Sequence, residues 1–443
     1  MPMHNVGFEQ VSAALASLQI VRQIGRVTHI RQGMVEVSGL TKSAAQADLV
    51  QIHPRAGAPR MGEVLGLSGG DISVLPDGDC AGLQIGDEVV LLGGTSIAPD
   101  DSWIGRVVDP LGQSLDGQPI LQGTQMRALK GEVPNPTTRR PLGARLETGM
   151  TVFNTFLPIV SGQRIGLFAG SGVGKSTLLA KLARGVHADV VVIALIGERG
   201  REVREFVERV LGEQGMKRAV VVAATSDQSP MMRRRCAWMA MSVAEHFRDL
   251  GRQVLFLADS ITRFAEAHRE IALASGENGT LRGYPPSTTQ QITLLCERAG
   301  PGVGQTGDIT AVLSVLVAGS DMEEPVADIL RGVLDGHVVL DRKIAERGRF
   351  PAIDVLRSVS RALPEAAADA ENALIMEGRQ LLGLYDRSEM MIQAGLYSAG
   401  SDAMLDHAIE SWSKIDGFLA EPEVVGTRAS FERLADCLST NTG

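Results

Sequence analysis

Read from its N-terminus, the chain changes its hydrophobic period several times. Residues 1–19 place Phe8, Val11, Leu15 and Leu18 at spacings of three and four, which predicts a short amphipathic helix. Such a face packs on its own domain or is offered to a partner. From 20 to 94 the period shortens. Runs at 25–30, 34–37, 48–52, 63–67, 71–75 and 87–92 resemble strands, and glycines punctuate them. Many short strands at close spacing predict a small β-barrel or sandwich. From 95 to 363 the strands become nearly unbroken apolar runs, at 164–168, 190–196, 219–223, 254–258 and 309–317, with helical segments separating several of them. Strands with no polar face are buried on both sides, which predicts a mainly parallel sheet with helices on each face. Residues 364–443 read as helical. The stretch 365–394 is dense in Ala, Glu, Leu and Met, and further helices fit 403–418 and 428–438.

Composition narrows the class. A chain of 443 residues with 44% apolar positions can fill two or three domain cores. Its 43 basic and 52 acidic residues leave a net charge of −9, which argues against a nucleic-acid partner. The four cysteines, Cys80, Cys236, Cys296 and Cys437, are scattered and form no metal-ligand pairs. They read as reduced thiols of a cytosolic protein. No signal sequence opens the chain, and no run approaches the ~20 apolar residues of a membrane span. The expectation is a soluble protein able to dock on a membrane.

The strongest chemical signal follows the run 164–168. Residues 169–177 read Ala-Gly-Ser-Gly-Val-Gly-Lys-Ser-Thr, between a predicted strand and a helical run. That is the context of a phosphate-binding loop. Along Gly170, Ser171, Gly172, Val173 and Gly174 the backbone can curl so that successive N–H groups converge on an anion, with the helix dipole behind them. Lys175 can reach β- and γ-phosphates, the Ser176 hydroxyl can ligate Mg²⁺, and Thr177 completes the motif. Ala169 stands where the commonest form has glycine. The strand run 254–258 ends in Asp259, either a carboxylate that orients Mg²⁺ and its waters or the N-cap of the next helix. The run 190–196 releases a charge cluster at the same predicted sheet edge. There Glu198 can polarise a water, Arg199 can contact phosphate, and Glu202 can hold a metal-bound water; read by itself, the cluster is equally a solvated charged loop leading into a helix over 202–211.

Taken together, the motifs resemble those of the flagellum-specific type III export ATPases, relatives of the catalytic subunits of rotary ATP synthases. The set is ordered: Asn135-Pro-Thr-Thr-Arg-Arg-Pro-Leu142, Glu147-Thr-Gly-Met150, the phosphate loop, Ile196-Gly-Glu-Arg-Gly-Arg-Glu-Val203, Ala224-Thr-Ser-Asp-Gln228, Ala258-Asp-Ser-Ile-Thr-Arg-Phe264, Arg282-Gly-Tyr-Pro-Pro-Ser287, Glu297-Arg-Ala-Gly300, Leu334-Asp-Gly-His-Val-Val-Leu340 and Phe350-Pro-Ala-Ile-Asp-Val355. The resemblance is dense over roughly residues 105–360. It implies an α/β fold class with an N-terminal small β-barrel (20–94), a central P-loop, RecA-like sheet domain with helices on both faces (95–363) and a C-terminal helical domain (364–443). It also implies ATP and Mg²⁺ as ligands, Glu198 as the water-activating carboxylate, and Arg361, in Ser358-Val-Ser-Arg361, as an arginine finger for a neighbouring subunit. From composition alone Arg361 reads as a solvated helix-end residue, and Arg263 as a residue near the metal carboxylate or a structural ion pair.

The same resemblance implies a homo-hexamer in the cytoplasm, peripheral at the inner face of the bacterial membrane. Its implied partners are a peripheral stalk-like regulator at the N-terminal segment, an export gate and chaperone–substrate complexes. Two departures stand out. Leu316 occupies the position where rotary subunits carry an adenine-stacking tyrosine, and Gly276-Glu-Asn-Gly-Thr-Leu281 lacks an expected proline. The rival readings are a virulence-type injectisome ATPase, an RNA-translocating ring helicase and a non-catalytic nucleotide-binding scaffold. The absence of Phe, Tyr and Trp from 20–94 weighs against the helicase. Glu198 weighs against the scaffold.

Overall fold

The computed structural model of the chain describes residues 21–31, 33–94, 96–279, 283–317, 322–423 and 425–439. The amphipathic segment 1–19 lies outside them.

Six antiparallel strands, Gln23–Arg31, Met34–Ser38, Leu49–His53, Arg60–Ser68, Asp71–Pro76 and Glu88–Gly93, close into a barrel. Alternation decides which residues fill it. Val35 and Val37, Val50 and Ile52, Ile72 and Val74, and Val89 and Leu91 point inward and are buried, while their neighbours face out. The hairpin joining Ser68 to Asp71 turns on Gly69 and Gly70, at φ 60° and 112°. Both lie in the left-handed region that a two-residue turn of this kind requires. Closure resolves the barrel-or-sandwich alternative and leaves no free strand edge.

The central sheet has eight strands in the order Ile353–Ser360, Gly336–Leu340, Arg164–Ala169, Ile309–Leu316, Val254–Asp259, Val190–Glu198, Ala219–Thr225 and Val107–Val108. All neighbours run parallel except the first pair. Two cores flank the sheet. On one face Ile165, Leu167, Val191, Ile193, Leu195, Leu255 and Leu257 meet the helix Lys175–Gly185 and the C-terminal helices. On the other, Val190, Val192, Val220, Val222, Val254, Phe256 and Leu313 meet helices Pro230–Asp249, Ile261–Ala274, Pro286–Arg298 and Pro325–Val333. Burial on both faces is why these strands carry no polar alternation. The C-terminal helices, Asp369–Gln393, Ala403–Phe418 and Thr427–Leu438, share the first core through Ile375, Leu381, Leu405, Phe418 and Leu434.

Barrel and sheet domain are joined by a buried ion pair. Arg234 Nη2 lies 2.6 Å from Glu63 Oε1, and the Arg234 guanidinium stacks over Trp238. Among the described residues no helix is long and apolar enough to cross a membrane.

Two local readings need correction. Arg361 follows the β-strand Ile353–Ser360 rather than ending a helix. Residues 202–211 are not one α-helix: Gly200–Glu205 is α-helical and Phe206–Leu211 is wound more widely, with i→i+5 bonding. Apolar periodicity cannot separate those two windings.

Candidate functional site

The strand Arg164–Ala169 ends where the phosphate loop begins, and helix Lys175–Gly185 starts where it finishes. Gly172 and Gly174 adopt φ 78° and 88°, which turn the backbone between strand and helix. No side chain caps this helix, and no acidic residue sits in its first turn. Its leading N–H groups are therefore open to an anion. Val173 is buried and anchors the loop, while Ser171, Gly172, Ser176 and Thr177 are exposed and Gly170 is half-buried.

The other charged residues arrive from neighbouring strands. Strands Val254–Asp259 and Val190–Glu198 run parallel to the first, so they deliver Asp259 and Glu198 to the same sheet edge. Lys175 Nζ is hydrogen-bonded to Asp259 and lies 3.8 Å from Glu198 Oε1. Asp259 is buried, and it also accepts a 2.7 Å hydrogen bond from Ser314 Oγ. It is not the N-cap of the following helix. Ser260 is, accepting from Arg263 N.

Burial raises the Glu198 carboxyl to about 7. The Asp259 charge and a hydrogen bond with Glu202 add to this, and Lys175 opposes it. A cavity of about 250 Å³ gathers Ser176, Thr177, Glu198, Glu202 and Asp259. Its hydroxyl and carboxylate oxygens are the hard donors that suit Mg²⁺.

The remaining charged residues do not line this cavity. The Arg199 side chain is exposed and 3.5 Å from Glu202 Oε1. Arg263 pairs with Glu266 at 2.8 Å on a helix whose start adjoins Asp259, and the Glu198 carboxylate also acts on its charge. Arg361 is exposed and donates to Arg331 O at 3.2 Å. Its own N–H bonds to Asp335 O, and Asp335 N bonds to Arg164 O. Arg361 therefore sits at the starting end of strand Arg164–Ala169, whereas Lys175 lies beyond its finishing end. At about 3.3 Å per residue, the strand alone separates them by roughly 17 Å.

One residue was missed. Phe350 is 47% exposed, and a Cβ added at Gly174 would lie 3.3 Å from its ring. An aromatic ring thus stands against the phosphate loop, within reach of a bound purine base. Leu316 lies in the sheet, with its N–H on Thr262 Oγ1. The signal in the sequence was its place at the head of the motif Phe350-Pro-Ala-Ile-Asp-Val355, which by itself gave it no role.

Fold and site together define a phosphate-loop ATPase of the rotary ATP synthase class. The model of the ATP synthase alpha/beta family nucleotide-binding domain matches residues 149–360, and that of the T3SS EscN ATPase C-terminal domain matches 367–438. The flagellum-specific ATP synthase of Caulobacter vibrioides is 43% identical over 94% of this chain and 95% of its own length. That of Salmonella typhimurium is 40% identical, over 93% of this chain and 92% of its own length. The assembled ATPase EscN of the enteropathogenic E. coli type III secretion system superposes with a TM-score of 0.86 at 33% identity, covering 94% of this chain and all of that one. EscN in complex with its central stalk EscO gives 0.84 at 34%, with the same coverage. The chain belongs to the flagellum-specific ATP synthase family, and it is an ATPase of type III protein export.

Proposed function

We propose that this ATPase works as a homo-hexameric ring that energises export of flagellar proteins, each subunit completing its neighbour's site. The observation that carries this reading is the roughly 17 Å that separates Arg361 from its own phosphate loop. A finger arginine placed there can serve only another copy. Heterologous contacts that close generate such a ring.

In one site, the phosphate-loop N–H groups from Gly170 to Thr177 cradle the phosphates, and the Lys175 ammonium moves from Asp259 onto the β- and γ-oxygens. Asp259 keeps its bond from Ser314 when Lys175 leaves. Ser176, Asp259 and Glu202 would hold Mg²⁺, directly or through water. When bound, the ion neutralises charge on the β- and γ-phosphate oxygens. Glu198 orients the attacking water and takes up its proton. Arg199 contacts phosphate oxygens as the site closes, Phe350 stacks on the base, and Arg361 of the adjacent copy stabilises the transferring phosphoryl group. Such fingers are typically worth ~10³–10⁵ in rate, so an isolated chain should be a poor ATPase.

A stalk protein in the ring's centre, a peripheral stalk-like regulator on segment 1–19, an export gate and chaperone–substrate complexes complete the reading. So does a cytoplasmic site of action at the inner face of the membrane. An injectisome role shares this chemistry, and EscN is its representative among the similar structures. The identity to flagellum-specific relatives favours the flagellar role.

Mixed rings test the shared site. Arg361→Ala and Lys175→Ala proteins should each be inactive alone. Combined at equal amounts, about a quarter of the interfaces join an intact loop to an intact finger, and activity should return in that proportion. Verified exchange without recovered activity would refute the reading.

A further inference from the structure

The edge strand leading to Arg361 is broken in a defined way. His337 lies opposite Val359, but Val339 lies opposite Asp354, so residues 355–358 face only Val338. This is an enlarged bulge, and it runs into the finger segment at Ser358.

Side chains replace the ladder bonds lost there. Asp354 Oδ1 accepts from Leu356 N at 3.0 Å and Arg357 N at 3.1 Å. Ser358 Oγ accepts from Val339 N at 2.9 Å and donates to Asp354 O at 2.5 Å. His337 Nε2 donates to Arg357 O at 3.0 Å.

The remaining support comes from the C-terminal helices. Arg379, on helix Asp369–Gln393, donates through Nη1 to Val355 O at 2.8 Å and through Nη2 to Ser358 O at 3.2 Å and Phe156 O at 3.3 Å. One planar guanidinium therefore bridges both ends of the bulge and ties them to the sheet domain. The helix can lie close because Gly378 faces Phe156, where a Cβ would come within 2.7 Å of the ring. Among the described residues the side-chain hydrogen bonds of Arg379 go to backbone carbonyls, and its charge also acts on the Asp354 carboxylate at the start of the bulge, so it holds the bulge in place.

We propose that Arg379 is a positioning residue for the finger: by clamping the bulge 355–358 from the helical domain, it sets where Arg361 leaves the sheet. This rests on the reading of Arg361 as a finger acting on the neighbouring copy. It makes the helical domain part of a catalytic interface whose reacting groups it never touches. A displaced clamp shifts the finger by an ångström or so, and misplacement on that scale costs up to about 100-fold in rate.

The test uses the full chain. Arg379→Ala should lower kcat about 10- to 100-fold, with KM for ATP changed less than about twofold, because its own phosphate loop is intact. Arg379→Lys, which keeps a donor but not the fork, should fall between that variant and wild type; it carries the same test if the alanine variant does not fold. The decisive readout is complementation. Mixed with Lys175→Ala protein, the Arg379 variant should regain activity to the level of the Arg361→Ala mixture, because the missing function is one supplied to a neighbour. A merely structural lesion would disable the variant's own loop, and mixing would not repair it. Wild-type kcat in Arg379→Ala overturns the proposal. So does an inactive Arg379 mixture beside an active Arg361 mixture. If the Arg361 mixture also stays inactive after verified exchange, the finger reading itself falls and takes this inference with it.

Discussion

Replacing Glu198 by glutamine should make the nucleotide-free protein more stable at alkaline pH while removing most of its activity. The carboxyl is raised from 4.5 to about 7, chiefly by burial and then by the Asp259 charge. Its side chain is only 21% exposed, so solvent screens little of this. The folded state holds the proton up to about pH 7, whereas the unfolded chain releases it near 4.5. What protonated Glu198 contributes to stability is therefore present below about 4.5 and lost as pH rises to 7. At about 1.4 kcal/mol per pH unit, the loss is roughly 3 kcal/mol. Glutamine cannot ionise and keeps the shape, and Lys175 retains Asp259 as its partner. Calorimetry without nucleotide or Mg²⁺ should show Glu198→Gln melting roughly 5 °C above wild type at pH 8.5. At pH 5 the two should nearly coincide. The variant should still bind a fluorescent ATP analogue but hydrolyse ATP poorly, since the charge that polarises water is gone. An equal or lower melting temperature at pH 8.5 would refute the electrostatic reasoning. Near wild-type hydrolysis would move the water-activating role to another carboxylate, Glu202 first.

Three further outcomes follow from the same geometry. Lys175→Ala should abolish hydrolysis and weaken analogue binding, and wild-type turnover in that variant would remove the phosphate-loop assignment. Phe350→Ala should raise KM for ATP about tenfold, with a smaller effect on kcat, and Phe350→Trp should restore it; an unchanged KM places the base elsewhere. Glu63→Ala strands buried Arg234 without its carboxylate and should cost about 3 kcal/mol. It should appear as a barrel transition separated from that of the sheet domain, and a single unshifted transition would show that the joint rests on apolar contacts instead.

Sequence alone determined most of the elements and pointed to the candidate chemistry. Period two marked the barrel strands, unbroken apolar runs marked strands covered on both faces, and the glycine-lysine-serine spacing marked the phosphate loop. Each of these is a local property, written within ten or so residues. The same holds for Asp259 and Glu198, because a carboxylate at the end of a buried strand can lie only at the sheet edge. Tertiary structure decided what depends on strand order. Lys175 and Asp259 are 84 residues apart and meet because their strands end at one edge of the sheet. The raised Glu198 carboxyl exists only because burial and the Asp259 charge converge there. Arg361, which composition alone placed at a helix end, was put at the opposite end of the sheet by antiparallel pairing with Gly336–Leu340. Phe350 became legible only when folding laid its ring against Gly174. Propensity and period act between near neighbours, whereas charge, burial and reach depend on residues that only a closed fold brings together.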